Sequence, residues 1–278
     1  MQSCPSGALS YCDDTLRLDT GKCSGCLRCT TACPNDALTP HAALQLHDAL
    51  RKRSDKELLL ISCERQKLFR EEEIVVPCLA VFSHELLLFL FTFSTAQIIR
   101  FNLSGCKSCD NKEPCREFQQ DLQCVRQTSG HYRLPCLDVL TEEKREREGG
   151  NRRLFLQALG AGAFQAATVS AIKEPGARCK PPSTSRQAPG KIQLLKEVVE
   201  SGDTMHPLAT AMIPKVRISA DCTPCPRCAG ICPTGALTLV SEGGGKKLSF
   251  SGMHCSGCSL CVQFCQRTAL SMYCDYSC

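Results

Sequence analysis

The stretch CTPCPRCAGICP, Cys222–Pro233, spaces four cysteines as C-x2-C-x2-C-x3-C and closes on a proline. The same spacing returns at Cys255, Cys258, Cys261 and Cys265, with Gln266 where the proline would stand, and at Cys23, Cys26, Cys29 and Cys33, followed by Pro34. Each fourth cysteine opens a second recurring motif: CPTGAL at Cys232–Leu237, CQRTAL at Cys265–Leu270 and CPNDAL at Cys33–Leu38. A fourth copy, CPSGAL, begins at Cys4 with no triad ahead of it. One unit therefore repeats at both ends of the chain, and its copy at the start is short of a front half.

The spacing has a physical reason. Three cysteines at two-residue intervals let a short loop wrap one cubane and give three iron atoms a thiolate each, with backbone N–H groups turned toward the cluster sulfurs. The fourth cysteine starts a new turn, faces away and reaches the other cluster. Zinc sites use four ligands in paired C-x2-C units, a poor fit to a doubled triad-plus-one.

Residues 216–278 resemble the bacterial two-cluster ferredoxin domain over nearly their whole length. The resemblance implies an α+β ferredoxin-like module with one [4Fe-4S] cluster on Cys222, Cys225, Cys228 and Cys265, and another on Cys255, Cys258, Cys261 and Cys232. It also implies strands at Leu237–Val240 and Lys247–Phe250 joined by the turn SEGGGK. Residues 1–45 look like the same domain truncated. Under the crossed rule Cys4 completes the cluster of Cys23, Cys26 and Cys29, and Cys33 belongs to a cluster whose triad lies upstream of Met1. The alternative is a native single-cluster half in which Cys33 is a buried thiol or pairs with Cys12. Three [4Fe-4S] clusters are expected in all.

Composition agrees with a metalloprotein. The 278 residues include 24 cysteines and no tryptophan. A disulfide scaffold is disfavoured by the length, by the absence of a signal peptide at the start, and by the tight triplets of cysteine. The formal charge of +5 counts every cysteine as neutral; three clusters at about −2 each would bring it to about −1, so it gives no reason to expect nucleic acid. No arginine-rich stripe interleaved with aromatics appears either.

Between the repeated ends, residues 55–140 form a cysteine-rich zone. ELLLIS (Glu57–Ser62), EIVV (Glu73–Val76) and QIIRFNL (Gln97–Leu103) are short apolar runs, and HELLLFLFTFS between the last two is long enough for a covering helix. This alternation predicts a small α/β domain with a parallel sheet, flanked by the ferredoxin-like modules. A membrane span over Leu86–Phe101 is the rival, but the run is short and broken by Thr92, Ser94, Thr95 and Gln97, so no span is expected. Cys63, Cys78, Cys106 and Cys109 follow the three strands, which puts them on the carboxyl edge where open α/β sheets carry their sites. They are candidate ligands of a [2Fe-2S] cluster, a zinc ion or a further [4Fe-4S], with Cys115 as a spare. LPCL at Leu134–Leu137 echoes VPCL at Val76–Leu79 and suggests that Cys136 ends a fourth strand. The alternative throughout is a set of buried free thiols. This zone is faintly similar to the small iron–sulfur subunit that links hydrogenase to heterodisulfide reductase.

Residues 141–215 read as a linker with one apolar helix: a charge run, then NRRLFLQALGAGAF (Asn151–Phe164), then KPPSTSRQAPG. The helix carries Arg152–Arg153 and matches a twin-arginine export signal, but about half the chain precedes it, so a retained helix and a cytoplasmic protein are expected, with export left open. His41, His47, His84 and His254 are read as surface or satisfied residues. No catalytic triad, phosphate loop, dinucleotide fingerprint or metalloprotease motif occurs. The expected function is single-electron transfer to or from a larger redox enzyme, of the molybdopterin oxidoreductase or hydrogenase class by resemblance. The alternatives are an oxidoreductase subunit with a thiol or metal centre in the middle zone, and a cluster-binding maturation adaptor.

Overall fold

The computed structural model describes residues 4–13, 15–38, 57–68, 73–129, 136–141, 186–203 and 205–277. The chain opens with a hairpin of β1 (Leu9–Cys12) against β2 (Thr15–Leu18), then the short helix α1 (Arg28–Ala32). A four-stranded sheet follows, from β3 (Leu58–Cys63), β4 (Glu73–Val76), β5 (Ile98–Asn102) and β6 (Cys136–Leu140). Its order is β4-β3-β5-β6 and all three pairings are parallel, as the alternation of apolar runs predicts. β3 is buried from Leu59 to Cys63 without alternation, because both faces of the sheet are covered.

Helix α2 (His84–Phe93) starts where the Ser83 hydroxyl accepts a hydrogen bond from the Leu86 N–H. Leu86 through Phe91 are all buried, which requires cover on every side. Leu86, Leu87, Leu90 and Phe91 pack into the sheet core with Ile61, Ile99 and Phe101, while Leu88 and Phe89 meet a second layer. Helix α3 (Lys112–Thr128) buries Cys115, Phe118, Leu122 and Val125 on one face. Phe82, Phe101 and Phe118 meet at centroid distances of 5.2–6.0 Å and tie both helices to the sheet. No described helix is long and apolar enough to cross a membrane.

The second layer corrects the linker expectation for residues 141–215. From Gly190 the chain forms α4 (Gly190–Ser201) and α5 (His206–Met212), whose Ile192, Leu195, Val198, Leu208 and Met212 close over Leu88 and Phe89. No continuous apolar run marks it, because Ile192, Leu195 and Val198 recur at helical spacing between charged residues. The twin-arginine motif, His41 and His47 lie outside the described residues.

The C-terminal part runs β7 (Lys215–Ile218), α6 (Arg227–Ile231), β8 (Leu237–Glu242), β9 (Gly245–Phe250), α7 (Leu260–Gln263) and β10 (Leu270–Tyr273). β8 and β9 form an antiparallel hairpin across Gly243 and Gly244, both at positive φ (60° and 81°), at the expected SEGGGK turn. β7 pairs antiparallel with β10.

Candidate metal centres

The motif after each fourth cysteine is one turn built four times. The N–H of the third residue on donates to the cysteine carbonyl: Gly7 to Cys4, Asp36 to Cys33, Gly235 to Cys232 and Thr268 to Cys265. That third residue has positive φ in every copy, 62°, 49°, 72° and 49°. The turn exposes the next N–H groups to the thiol, so Ala8 N–H donates to Cys4 Sγ at 3.2 Å and Ala269 N–H to Cys265 Sγ at 3.4 Å. Burial pushes the Cys232 thiol up, but N–H groups of Leu237, Thr234 and Ala236 and the Thr234 hydroxyl outweigh it and hold the thiol below its ordinary range. Cys4 is lowered the same way, against burial, by Ser6, Ala8 and Leu9. The turns of Cys4 and Cys232 thus favour the thiolate, the ligating form.

In the C-terminal part the thiols gather into two sets drawn from both halves of the repeat. One cavity, of about 270 Å³, is lined by Cys222, Cys225, Cys228 and Cys265. The other, closed to about 10 Å³, is lined by Cys232, Cys255, Cys258 and Cys261. Electrostatics reports the same grouping. Burial raises the Cys222 thiol, and the Cys265 and Cys225 thiolates raise it further. Burial pushes Cys261 up to about 11, with Cys255, Cys258 and Cys232 adding to it. Four thiolates are the donor set of a [4Fe-4S] cluster, so both sets fit it chemically; the tighter one would admit a cubane only as its side chains part.

At the N-terminal end, burial raises the Cys29 thiol and the Cys26, Cys23 and Cys4 thiolates add to it, so these four also gather. Cys33 is not among them. Its carbonyl accepts from Lys191 Nζ at 2.8 Å, it is half-buried, and both it and Cys12 are free thiols, which corrects the buried-thiol and Cys12-pairing alternatives.

The sheet brings the middle cysteines to its carboxyl edge. Cys63 ends β3, Cys78 lies two residues beyond β4, and Cys106 and Cys109 follow β5. Burial raises Cys63, with Cys106 and Cys109 adding to it; burial pushes Cys78 up to about 11, with Cys63, Cys26 and Cys106 adding to it. Cys26, Cys78 and Ala80 form one buried cluster, so the N-terminal site abuts the middle one. The Arg65 guanidinium donates to Cys109 Sγ at 3.5 Å and to Asp110 at 3.0 Å. Cys115 proves more than a spare: it lines one cavity with Cys106, and its thiol, with burial, raises that of Cys106 strongly. Only a helix register places Cys115 against Cys106, so spacing alone did not reveal the pair. Cys136 does not end a strand. It is exposed and begins β6 opposite Ile98, at the amino edge, since β6 runs parallel to β5. Cys124, unlike the other described cysteines, is disulfide-bonded.

Among the described residues, no three Cys, His, Asp or Glu side chains lie close enough to hold one metal ion. A single zinc with bonds of about 2.3 Å needs thiolates about 4 Å apart, whereas a cubane carries its ligands on separate irons.

Comparison with known proteins agrees in class. Residues 16–39, which contain Cys23, Cys26, Cys29 and Cys33, match the 4Fe-4S binding domain. The chain is also 46% identical over 46 residues to AegA of Escherichia coli (strain K12), a protein that carries the name of an oxidoreductase; the match spans 15% of this chain and 7% of that one. No solved structure matches. Residues 16–39 thus carry a 4Fe-4S binding domain, the iron–sulfur chemistry that the cysteine spacing predicts.

Proposed function

We propose that the chain is a multi-cluster electron carrier, with ferredoxin-like modules at both ends of the α/β domain, that passes single electrons to or from a larger redox enzyme. The observation that carries this reading is the gathering of four thiols twice over in the C-terminal part, each set crossing between the two halves of the repeat. Cys222, Cys225, Cys228 and Cys265 would hold one [4Fe-4S] cluster, Cys255, Cys258, Cys261 and Cys232 a second, and Cys4, Cys23, Cys26 and Cys29 a third. Bound clusters supply reversible one-electron chemistry. The chain's own part is to favour the Cys4 and Cys232 thiolates through the N–H groups of their turns and to exclude water from the apolar site around Cys255. Cys63, Cys78, Cys106 and Cys109 would hold a further cluster against Cys26. The partner is assigned by the ferredoxin resemblance to the molybdopterin oxidoreductase or hydrogenase class. A reducing compartment, the cytoplasm, suits the free thiols.

A second reading rests on Cys106 and Cys115 lining one cavity: an active dithiol in the α/β domain, fed by the clusters, making the chain an oxidoreductase subunit acting on a sulfur compound. Iron and acid-labile sulfide per chain on the anaerobically reconstituted protein, with EPR before and after dithionite, separate these. Three cubanes give about twelve irons with matching sulfide, and a middle cluster adds about two or four. Zinc with little sulfide would overturn the carrier reading. Iron at about twelve together with rapid alkylation of Cys106 and Cys115 would favour the dithiol.

A further inference from the structure

The two thiol sets of the C-terminal part have opposite surroundings. Around Cys232, Cys255, Cys258 and Cys261 the wall is made of Ala236, Leu237, Phe250, Leu260 and Met272 with the hydroxyls of Thr234 and Ser256, and no charged side chain lines it. Around Cys222, Cys225, Cys228 and Cys265 the wall includes Arg227, Arg267 and Phe264. Cys225, Arg227, Gln266 and Arg267 are exposed, and Phe264 leaves 55% of its surface in water.

Gln266 explains itself here. With its amide oxygen turned toward Arg227 it accepts from both terminal nitrogens of that guanidinium, at 2.8 and 3.2 Å. The residue that replaces the usual proline thus pins a cation across the mouth of the site, joining the loop of Cys222–Cys228 to the turn of Cys265. Arg267 stands close enough to favour the Cys222 thiolate. One strand away, the Arg217 guanidinium lies 5.5 Å over the ring of exposed Tyr273. The acid nearest in sequence is Asp221, whose carboxylate accepts from the Ser219 hydroxyl. A positive rim around an exposed aromatic residue is the make-up of an interface core, and the neighbouring site has neither.

We propose that the face formed by Arg227, Arg267 and Phe264 around Cys222, Cys225, Cys228 and Cys265 is the port at which electrons enter or leave, and that it docks a redox protein presenting acidic side chains around its own centre. This rests on the electron-transfer reading above. The closed, uncharged site of Cys255 is then an internal station.

Stopped-flow reduction of the oxidised holo-protein tests the port, using two one-electron reductants of opposite charge: the sulfur dioxide radical anion of dithionite and the methyl viologen radical cation. Each gives up one electron, which the protein takes, and no other bond changes. The bound cluster's own charge of about −2 opposes the two arginines, so the port is read from their removal: without them the anion should lose, and the cation gain, rate at low salt, and both differences should shrink with added salt. Arg227→Gln with Arg267→Gln should slow the anion by about fivefold at low salt, the factor two unit charges about 8 Å away give in water. Poly-L-glutamate at low salt should slow the anion, and polylysine should not. Unchanged rates in the arginine variant for both reductants, or indifference to poly-L-glutamate, would overturn the port. Should the arginine variant lose iron, the wild-type polyanion and polycation responses still decide. A holo-protein with no reducible cluster would instead sink the carrier reading itself, which the iron count and EPR detect separately.

Discussion

Four residues occupy the same left-handed position after a fourth cysteine, and they are not equally suited to it. Gly7 and Gly235 adopt positive φ at no cost, and aspartate tolerates it, as at Asp36. Thr268 is β-branched, and φ of 49° there crowds its side chain against the backbone. The strain persists because the Thr268 N–H must close the turn on the Cys265 carbonyl so that Ala269 can donate to the thiol. Thr268→Gly is expected to raise stability by about 1 kcal/mol, the usual cost of a left-handed side chain. Urea denaturation of the metal-free and loaded protein measures it; an unchanged midpoint would mean that the strain is absorbed elsewhere.

At the scale of an element, the three triad loops fall into two kinds. In Cys23–Cys29 and Cys255–Cys261 the backbone turns left-handed twice, at Gly25 and Leu27 and at Gly257 and Ser259. In Cys222–Cys228 the corresponding places are Pro224 and Pro226, whose rings forbid positive φ and which carry no N–H. That loop therefore offers two fewer donors to whatever its thiols hold. Hydrogen bonds to cluster sulfur raise the reduction potential, so Pro226→Ser should shift the midpoint of this site upward in an EPR-monitored redox titration. No shift would mean that the restored N–H does not reach a sulfur.

Across the whole molecule, cations carry the N-terminal part onto the rest. Arg28, inside the first triad loop, reaches Glu117 at 2.7 Å and Asp121 at 2.8 Å on α3, and His84 Nε2 stands 3.2 Å from the other oxygen of Asp121. Lys191 donates to the Thr31 and Cys33 carbonyls and ion-pairs with Asp36, while Arg186, five residues earlier, donates to the Ala229 and Gly230 carbonyls just before Cys232. One short segment thus holds both cysteine-rich ends, within at most about 18 Å of extended chain. Burial would raise Asp121, but hydrogen bonds from His84 and Arg28 outweigh it and hold the carboxyl below its usual value. A depressed carboxylate stabilises fully above its unfolded value near pH 4, and the contribution fades as pH falls through the lower folded value. Asp121→Asn should therefore lower the urea midpoint of the metal-free protein at pH 5, where the His84 beside it is also a cation, and by less at pH 3. A gap that persists unchanged at pH 3 would rule out the ionised carboxylate as its source.

Cysteine spacing was enough to name the chemistry, because an iron–sulfur ligand loop is a local structure: its three thiols lie within seven residues, and the turn of the fourth within seven more. The strands of the α/β sheet and the helix after Ser83 were equally legible, since continuous apolar runs bury without help from distant polar groups. The sequence alone did not fix which edge Cys136 would take, that Cys115 meets Cys106, that residues 190–212 form a packed helical layer, or that one thiol site is ringed by arginines and its twin by apolar side chains. Each of these depends on strand direction, on helix register or on what another element lays against a surface. Such pairings over long separations are free energies of the folded molecule as a whole, and no window along the chain contains them.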